Sequence, residues 1–420
     1  PRDPDEASVG AAFGRALGDL TRVGPDGLAA LPDARDPHVL AAMRIQVRLC
    51  PVAFFVQQRL LALMACNLVT TSIEQGLSTA TPNALALFGL ILNSAGMFPV
   101  SHGWGQLAIT LLDRWEDRSL EAATRHVVFN FVCPWIVPLR SVVASSRAVF
   151  DLAQRTGDFE YGSYAAHMST YMAFAAGQAL GPLCDDALWL GQQIRSFGQI
   201  NAIHLHAPFE QLLKGLTGSK AEPWNLDDEH FSEAAALAAA EATDARGSLC
   251  VHRVAMGLAR FFAGRVREAS EQLEVARMYL DAVPSCWMVP LCHQFAALSA
   301  CAAWDELDDA TRTQLRPRID ESLAALRELS GQAPINFAHR VLLVEGELQR
   351  VEGAADSALS SFERALTLAS ANDWVGDVAI THDLMARALA TLGRADEAAE
   401  QRTAARNTYA RWGVALSPAR

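Results

Sequence analysis

Gly353-Ala-Ala-Asp-Ser-Ala358-Leu-Ser-Ser-Phe362-Glu-Arg-Ala365 carries a spacing that recurs in the C-terminal half of the chain: a Gly, a small residue five positions on, a further residue at nine, and an Ala at twelve. The same register reads Gly264, Ala269, Leu273, Ala276 and again Gly393, Ala398, Arg402, Ala405. A Gly that ends one helix in a left-handed cap, followed by positions 5, 9 and 12 on one face of the next helix, is the signature of a helix-turn-helix repeat. Twelve residues before each middle Ala stands another small residue, Gly257, Gly346 and Ala386. The two helices of a unit are therefore expected to touch where both carry almost no side chain. Fainter copies of the rhythm, Gly96, Ser101, Gly105, Ala108 and Gly157, Gly162, Ala166, Ser169, extend the expected array towards the N-terminus.

Composition agrees with a helical chain. Over 420 residues, hydrophobic types make up 51% and aromatics 8%, with Ala and Leu dominant, which gives ample apolar surface and high helix propensity. That length exceeds one ordinary core, so the chain must divide or stack units, and the repeats favour stacking. A net charge of −12 with no cluster of Lys and Arg argues against a nucleic-acid partner, because counterion release needs concentrated positive charge. The eight cysteines lie scattered in apolar stretches and read as reduced core residues. No charged segment followed by an apolar one opens the chain, and the first residues Pro-Arg-Asp-Pro-Asp lack Met, so a piece of a longer cytoplasmic protein is expected. The apolar window 85–100 is too short to span a bilayer, and the window 51–71 is broken by Gln57, Gln58 and Arg59, so no membrane partner is expected.

Along the chain, residues 1–35 read as a partly irregular opening segment with a helix near Glu6–Leu20. Residues 36–215 form the first half of the helical array, 216–228 a bend or linker, 229–415 the second half, and 416–420 a tail. Apolar residues at i, i+3, i+4 and i+7 between Gly and Pro breaks predict roughly seventeen helices and no strands. Breaks are expected at positions that include Gly157, Gly181-Pro182, Gly198, Gly247, Gly264, Gly331 to Pro334, Gly353, Asn372 and Gly393. The predicted fold is all-α, a right-handed α-solenoid of tetratricopeptide-like helical hairpins.

Four segments carry a resemblance. They are Gly157-Asp-Phe-Glu-Tyr-Gly-Ser-Tyr-Ala165, Phe131-Val-Cys-Pro-Trp-Ile-Val-Pro-Leu-Arg140, Pro334-Ile-Asn-Phe-Ala-His339 with 342–347, and Tyr409-Ala-Arg-Trp-Gly413. In order and spacing, over about residues 40 to 415, the chain resembles the tetratricopeptide-like helical domain of large bacterial signalling ATPases. In such proteins a serine/threonine kinase-like domain and a P-loop ATPase module precede that domain, and GAF and histidine kinase domains often follow. The resemblance implies a sensor or scaffold segment that works with neighbouring ATPase or kinase modules. The chain itself lacks the Gly-x-x-x-x-Gly-Lys-Ser/Thr loop and the kinase motifs, so that chemistry is not assigned to it.

No cofactor or metal is expected. His204 and His206 are two apart, which on a helix throws their rings to nearly opposite sides. Cys286, Cys292, His293 and Cys301 are interleaved with core residue types. The acidic pairs 185–186, 227–228 and 308–309 read as helix-start charges rather than acid–base pairs. No nucleophile elbow appears, and catalytic residues are expected to be none. The candidate ligand-binding residues are Trp135 and Arg140 after a Pro break, Tyr161, Tyr164 and His167 on one helix, and Asn336, His339 and Arg340 opening another. Such aromatic and polar groups suit a concave groove, with Arg140 as the anchor for an anion. The expected function is non-catalytic recognition of a protein or peptide partner on the concave face. A small-molecule inducer sensor, which needs a closed pocket, is the alternative, and an enzyme with an unrecognised site is the third reading.

Overall fold

The computed structural model describes residues 4–415. The expected tail 416–420 and the first three residues lie outside that range. Among the described residues there are nineteen α-helices and no strands, only isolated bridges such as Asp33 with Leu77.

The chain forms two compact units. Among the described residues the first comprises 4–136, Ala144–Ala165 and Pro284–Cys286; the second comprises Val137–Val143, Ala166–Val283 and 287–415. The segment 216–228 falls inside the second.

The first unit contains α1 (Glu6–Ala29), α2 (Pro37–Val56), α3 (Gln58–Gln75), α4 (Thr81–Ser94), α5 (Phe98–Leu111) and α6 (Glu121–Val127). It also takes in most of α7 (Leu139–Thr156) and the first turns of α8 (Phe159–Ala175). The opening helix runs past Leu20 to Ala29, because Gly24 (φ 69°) breaks the ladder and Pro25 restarts it at once. α4 is buried on nearly all sides and forms the centre of this unit. Beside it, residues Val128–Val132 adopt a π-helix. That widened turn frees the Phe131 carbonyl, which accepts from Asn93 Nδ2 at 2.7 Å and from Trp135 Nε1 at 2.8 Å.

The second unit adds α9 (Leu180–Ser196), α10 (Ile200–Leu216), α11 (Glu233–Ala242), α12 (Arg246–Phe262), α13 (Val266–Arg277) and α14 (Met288–Ala302). It ends with α15 (Asp309–Gln332), α16 (Pro334–Val351), α17 (Ala355–Ala371), α18 (Val375–Thr391) and α19 (Ala395–Trp412). From α12 onward each helix packs on the next, and α10, α12, α14, α16 and α18 also pack in series on one another.

The three Gly registers end their helices as expected. Gly264, Gly353 and Gly393 have φ of 81°, 82° and 73°. In each case the following residue donates back five positions, as Arg265 to Arg260, Ala354 to Gln349 and Arg394 to Leu389. Other breaks move. Gly181, Pro182 and Gly247 sit in the first turns of α9 and α12, where a proline loses no hydrogen bond, and Gly177 (φ 68°) ends α8 instead. Asp185 and Asp186 likewise lie within α9, whereas Asp308 is a true N-cap that accepts from Thr311 N at 2.7 Å.

The helix contact differs from the expected meeting of two small residues. Gly257 receives Leu273 and Gly346 receives the ring of Phe362, so a large side chain from position nine fills the hole left by the glycine. A Cβ on Gly346 would stand 2.4 Å from Phe362 Cε1, and Phe362 is fully buried. We expect Gly346→Ala to destabilise by about 1–3 kcal/mol, with part recovered by Phe362→Leu. Chemical denaturation checks this, and an unchanged midpoint would contradict the interlock.

One described helix, α2, is long and apolar enough to cross a membrane, with 22% of its most apolar window buried. The reading of 51–71 split this segment from its N-terminal half, and the helix in fact stops at Gln57. All eight cysteines are buried, and burial pushes the Cys292 and Cys50 thiols up to about 12.

Candidate functional site

α16 opens with Pro334, whose missing N–H costs nothing in the first turn, and so presents Asn336, His339 and Arg340 one turn apart on a single buried face. Asp377 meets them from the first turn of α18, where the helix dipole favours a carboxylate. His339 Nε2 lies 3.0 Å and Arg340 Nη2 3.1 Å from Asp377 Oδ2, while Gln294 Nε2 of α14 donates to Oδ1 at 2.7 Å. Arg340 also donates to Gln294 Oε1, to the Asn336 carbonyl at 3.2 Å and to the Ala175 carbonyl at 2.8 Å, and its guanidinium lies 4.9 Å from the Trp374 ring centre. His339 stacks on the same indole at 5.0 Å.

Burial alone would raise the Asp377 carboxyl, but Arg340 and the hydrogen bonds from His339 and Gln294 outweigh it and hold it below the usual range. For His339 burial wins over the attraction of Asp377, so its ring is held below the ordinary histidine value. The network is an ion pair whose polar groups point at one another and at backbone. It ties α14, α16, α18 and residue 175 together and presents no free nucleophile or base.

Asn336 turns outward from this core to α7. Its Oδ1 accepts from Leu139 N at 3.1 Å and its Nδ2 donates to the Val137 carbonyl at 2.8 Å, which anchors the start of that helix. Arg140, half exposed, donates to the Asp373 carbonyl at 2.7 Å and to that of Ala176 at 3.4 Å. Thus Arg140, Asn336, His339 and Arg340 do come together, in the second unit.

The other candidates lie elsewhere. Trp135, in the first unit, is buried, stacks on Phe98 at 5.5 Å and spends its indole N–H on Phe131. Tyr161 and Tyr164 belong to a first-unit aromatic cluster around His126, with ring centres 5.5 and 6.1 Å from it. Asn130 links that histidine to Ser146, and burial holds the His126 ring down at about 3. His167, in the second unit, is buried against Tyr171 at 5.1 Å. Asp377, Gln294 and Trp374 escaped the sequence reading, since each is isolated among apolar neighbours. The one signal was that Arg340 and His339, on an apolar helix face, require an acid from another element. Among the described residues no group of three or more His, Cys, Asp or Glu is placed to hold a metal ion.

No protein-family model and no curated protein matches the chain. The functional reading therefore rests on its own residues.

Proposed function

We propose that the chain is a non-catalytic recognition and regulatory module, a right-handed superhelix of tetratricopeptide-like hairpins that takes a protein or peptide partner on its concave face. In this reading it is a cytoplasmic segment of a signal-transduction ATPase, and partner binding biases its contacts with neighbouring ATPase or kinase modules. The observation that carries the reading is the two-layer packing of the second unit. There α12, α14, α16 and α18 touch in series while α13, α15, α17 and α19 pack against their flanking helices, the arrangement that gives repeat proteins an extended inner row. The inducer reading draws less support, because Asn336, His339 and Arg340 are buried and spend their polar groups on protein atoms.

Selection of displayed random peptides on the immobilised chain, run beside a thermal-shift screen of metabolites, tests the choice. Expected are peptides that bind saturably with about micromolar Kd, and no metabolite that raises the midpoint. A stabilising metabolite, with no peptide enriched above a scrambled control, would overturn it.

A further inference from the structure

α2 is apolar on two faces, and only one of them is covered. Met43, Val47, Cys50 and Ala53 point inward, while Ile45, Leu49, Val52 and Val56 are 61%, 50%, 59% and 73% exposed. Those four form a straight stripe on the helix, on the outer face that a surface helix ordinarily keeps polar. The stripe calls for a cover.

We infer that a second copy of this chain covers it, by antiparallel pairing of α2 with α2 about a two-fold axis. The spacings along the stripe, four, three and four residues, read the same in both directions, with the centre between Cys50 and Pro51. An antiparallel copy therefore sets Ile45 level with Val56 and Leu49 level with Val52, so each apolar residue meets another. This self-complementarity is what an isologous interface requires.

The charges point the same way. Arg44 and Arg48 flank the stripe on the side where Phe55 also emerges, and in the antiparallel pair the Phe55 ring of one copy lies level with the gap between Arg44 and Arg48 of the other. The two Arg48 residues are offset by about 7.5 Å along the axis. Within its own unit Arg44 is paired with Asp117 at 3.4 Å, and Arg48 is attracted by Asp117, Asp158 and Glu160. The flank is thus nearly neutral. That permits two copies to meet and removes the cationic rim by which an amphipathic helix holds an anionic bilayer. Beside the stripe a depression of about 290 Å³, lined by Arg44, Ile45, Arg48, Leu49, Ser119 and Leu120, gives room for the partner's flank.

The test is sedimentation velocity on the whole chain from about 1 to 100 μM. The wild type is expected to dimerise with Kd of about micromolar, since a three-turn helix pair buries less than a standard interface. Leu49→Glu, a change at an exposed position, is expected to weaken the dimer by about a hundredfold while the circular dichroism and melting midpoint hold. Cysteine cross-linking reads the register. Chains carrying Leu49→Cys mixed with chains carrying Val52→Cys are expected to form a disulfide-linked pair. Ile45→Cys chains alone are not, because their thiols are about 16 Å apart along the axis. A monomer at every concentration, a dimer that survives Leu49→Glu, efficient linking of Ile45→Cys chains, or a monomer that instead binds phosphatidylglycerol vesicles through this face would each overturn the proposal. None of these outcomes bears on peptide binding, so this inference and the recognition reading fail separately.

Discussion

Acidification from pH 7 to 5 is expected to strip much of this chain's stability, ahead of the titration of its ordinary carboxylates. Burial holds the His126 ring at about 3 and those of His252 and His293 at about 4, against an ordinary value of 6.5. His206 and His339 are shifted in the same direction. The folded state keeps these rings neutral while the unfolded state takes up protons below pH 6.5, so the stability they contribute is complete above that pH and is lost as it falls. Each such histidine costs about 1.4 kcal/mol per pH unit, and the three with the lowest values together cost about 4. Between pH 6.5 and 5 that removes about 6 kcal/mol, as large as the lower end of an ordinary net stability of about 5–15 kcal/mol. Asp158 and Glu160, raised by burial, work in the opposite sense, but only in the carboxylate range and from partly exposed positions. Denaturant titrations at pH 7, 6 and 5 check the slope, and a midpoint that stays constant between 7 and 5 would contradict it.

The second large effect is expected from Asp377→Ala. It removes the carboxylate facing Arg340 and His339 in a site closed to water, and an unpaired buried charge costs about 3–5 kcal/mol. The thermal midpoint should fall by about 10 °C. Asp377→Asn, which keeps a hydrogen-bonding group of the same shape, should cost less, and Arg340→Met added to Asp377→Ala should recover part of the loss. Equal midpoints for wild type and Asp377→Ala would mean that the network contributes no net stability.

These expectations also mark where the sequence was legible. Gly264, Gly353 and Gly393 could be placed as helix ends because only a residue without Cβ takes that turn cheaply, and the spacing repeats. Asp244 and Asp373 take positive φ just after α11 and α17; the second break was expected at the adjoining Asn372, whereas a single Asp at 244 carries no repeating signal. The interlock of Gly346 with Phe362 was half visible, because the spacing gives the face but not which neighbour fills the hole. For the candidate site, Arg140, Asn336, His339 and Arg340 were found by type. Their use was not, since it depends on Asp377, Gln294 and the carbonyls of residues 175 and 373, which only the tertiary fold brings near. At α2 the sequence reading weighed only the length of the apolar windows, and which side of that helix the fold leaves bare depends on its neighbours.

The last helix of the second unit returns to its first. Trp412 Nε1 donates to the Gln178 carbonyl at 2.9 Å, a bond spanning 234 residues, and Ala415 N donates to the Leu216 carbonyl at 2.8 Å. On a ribosome these pairs have no counterpart until residues 412–415 emerge, which at ordinary elongation rates comes roughly 10–50 s after Gln178. A string of nearest-neighbour repeats is able to condense as it is made, whereas this unit is closed by a bond spanning 234 residues, and its nascent edge around α8 and α9 lacks that partner for the interval. Its folding in the cell then depends on what shields that edge, and loss of α19 would leave a nascent chain that never closes.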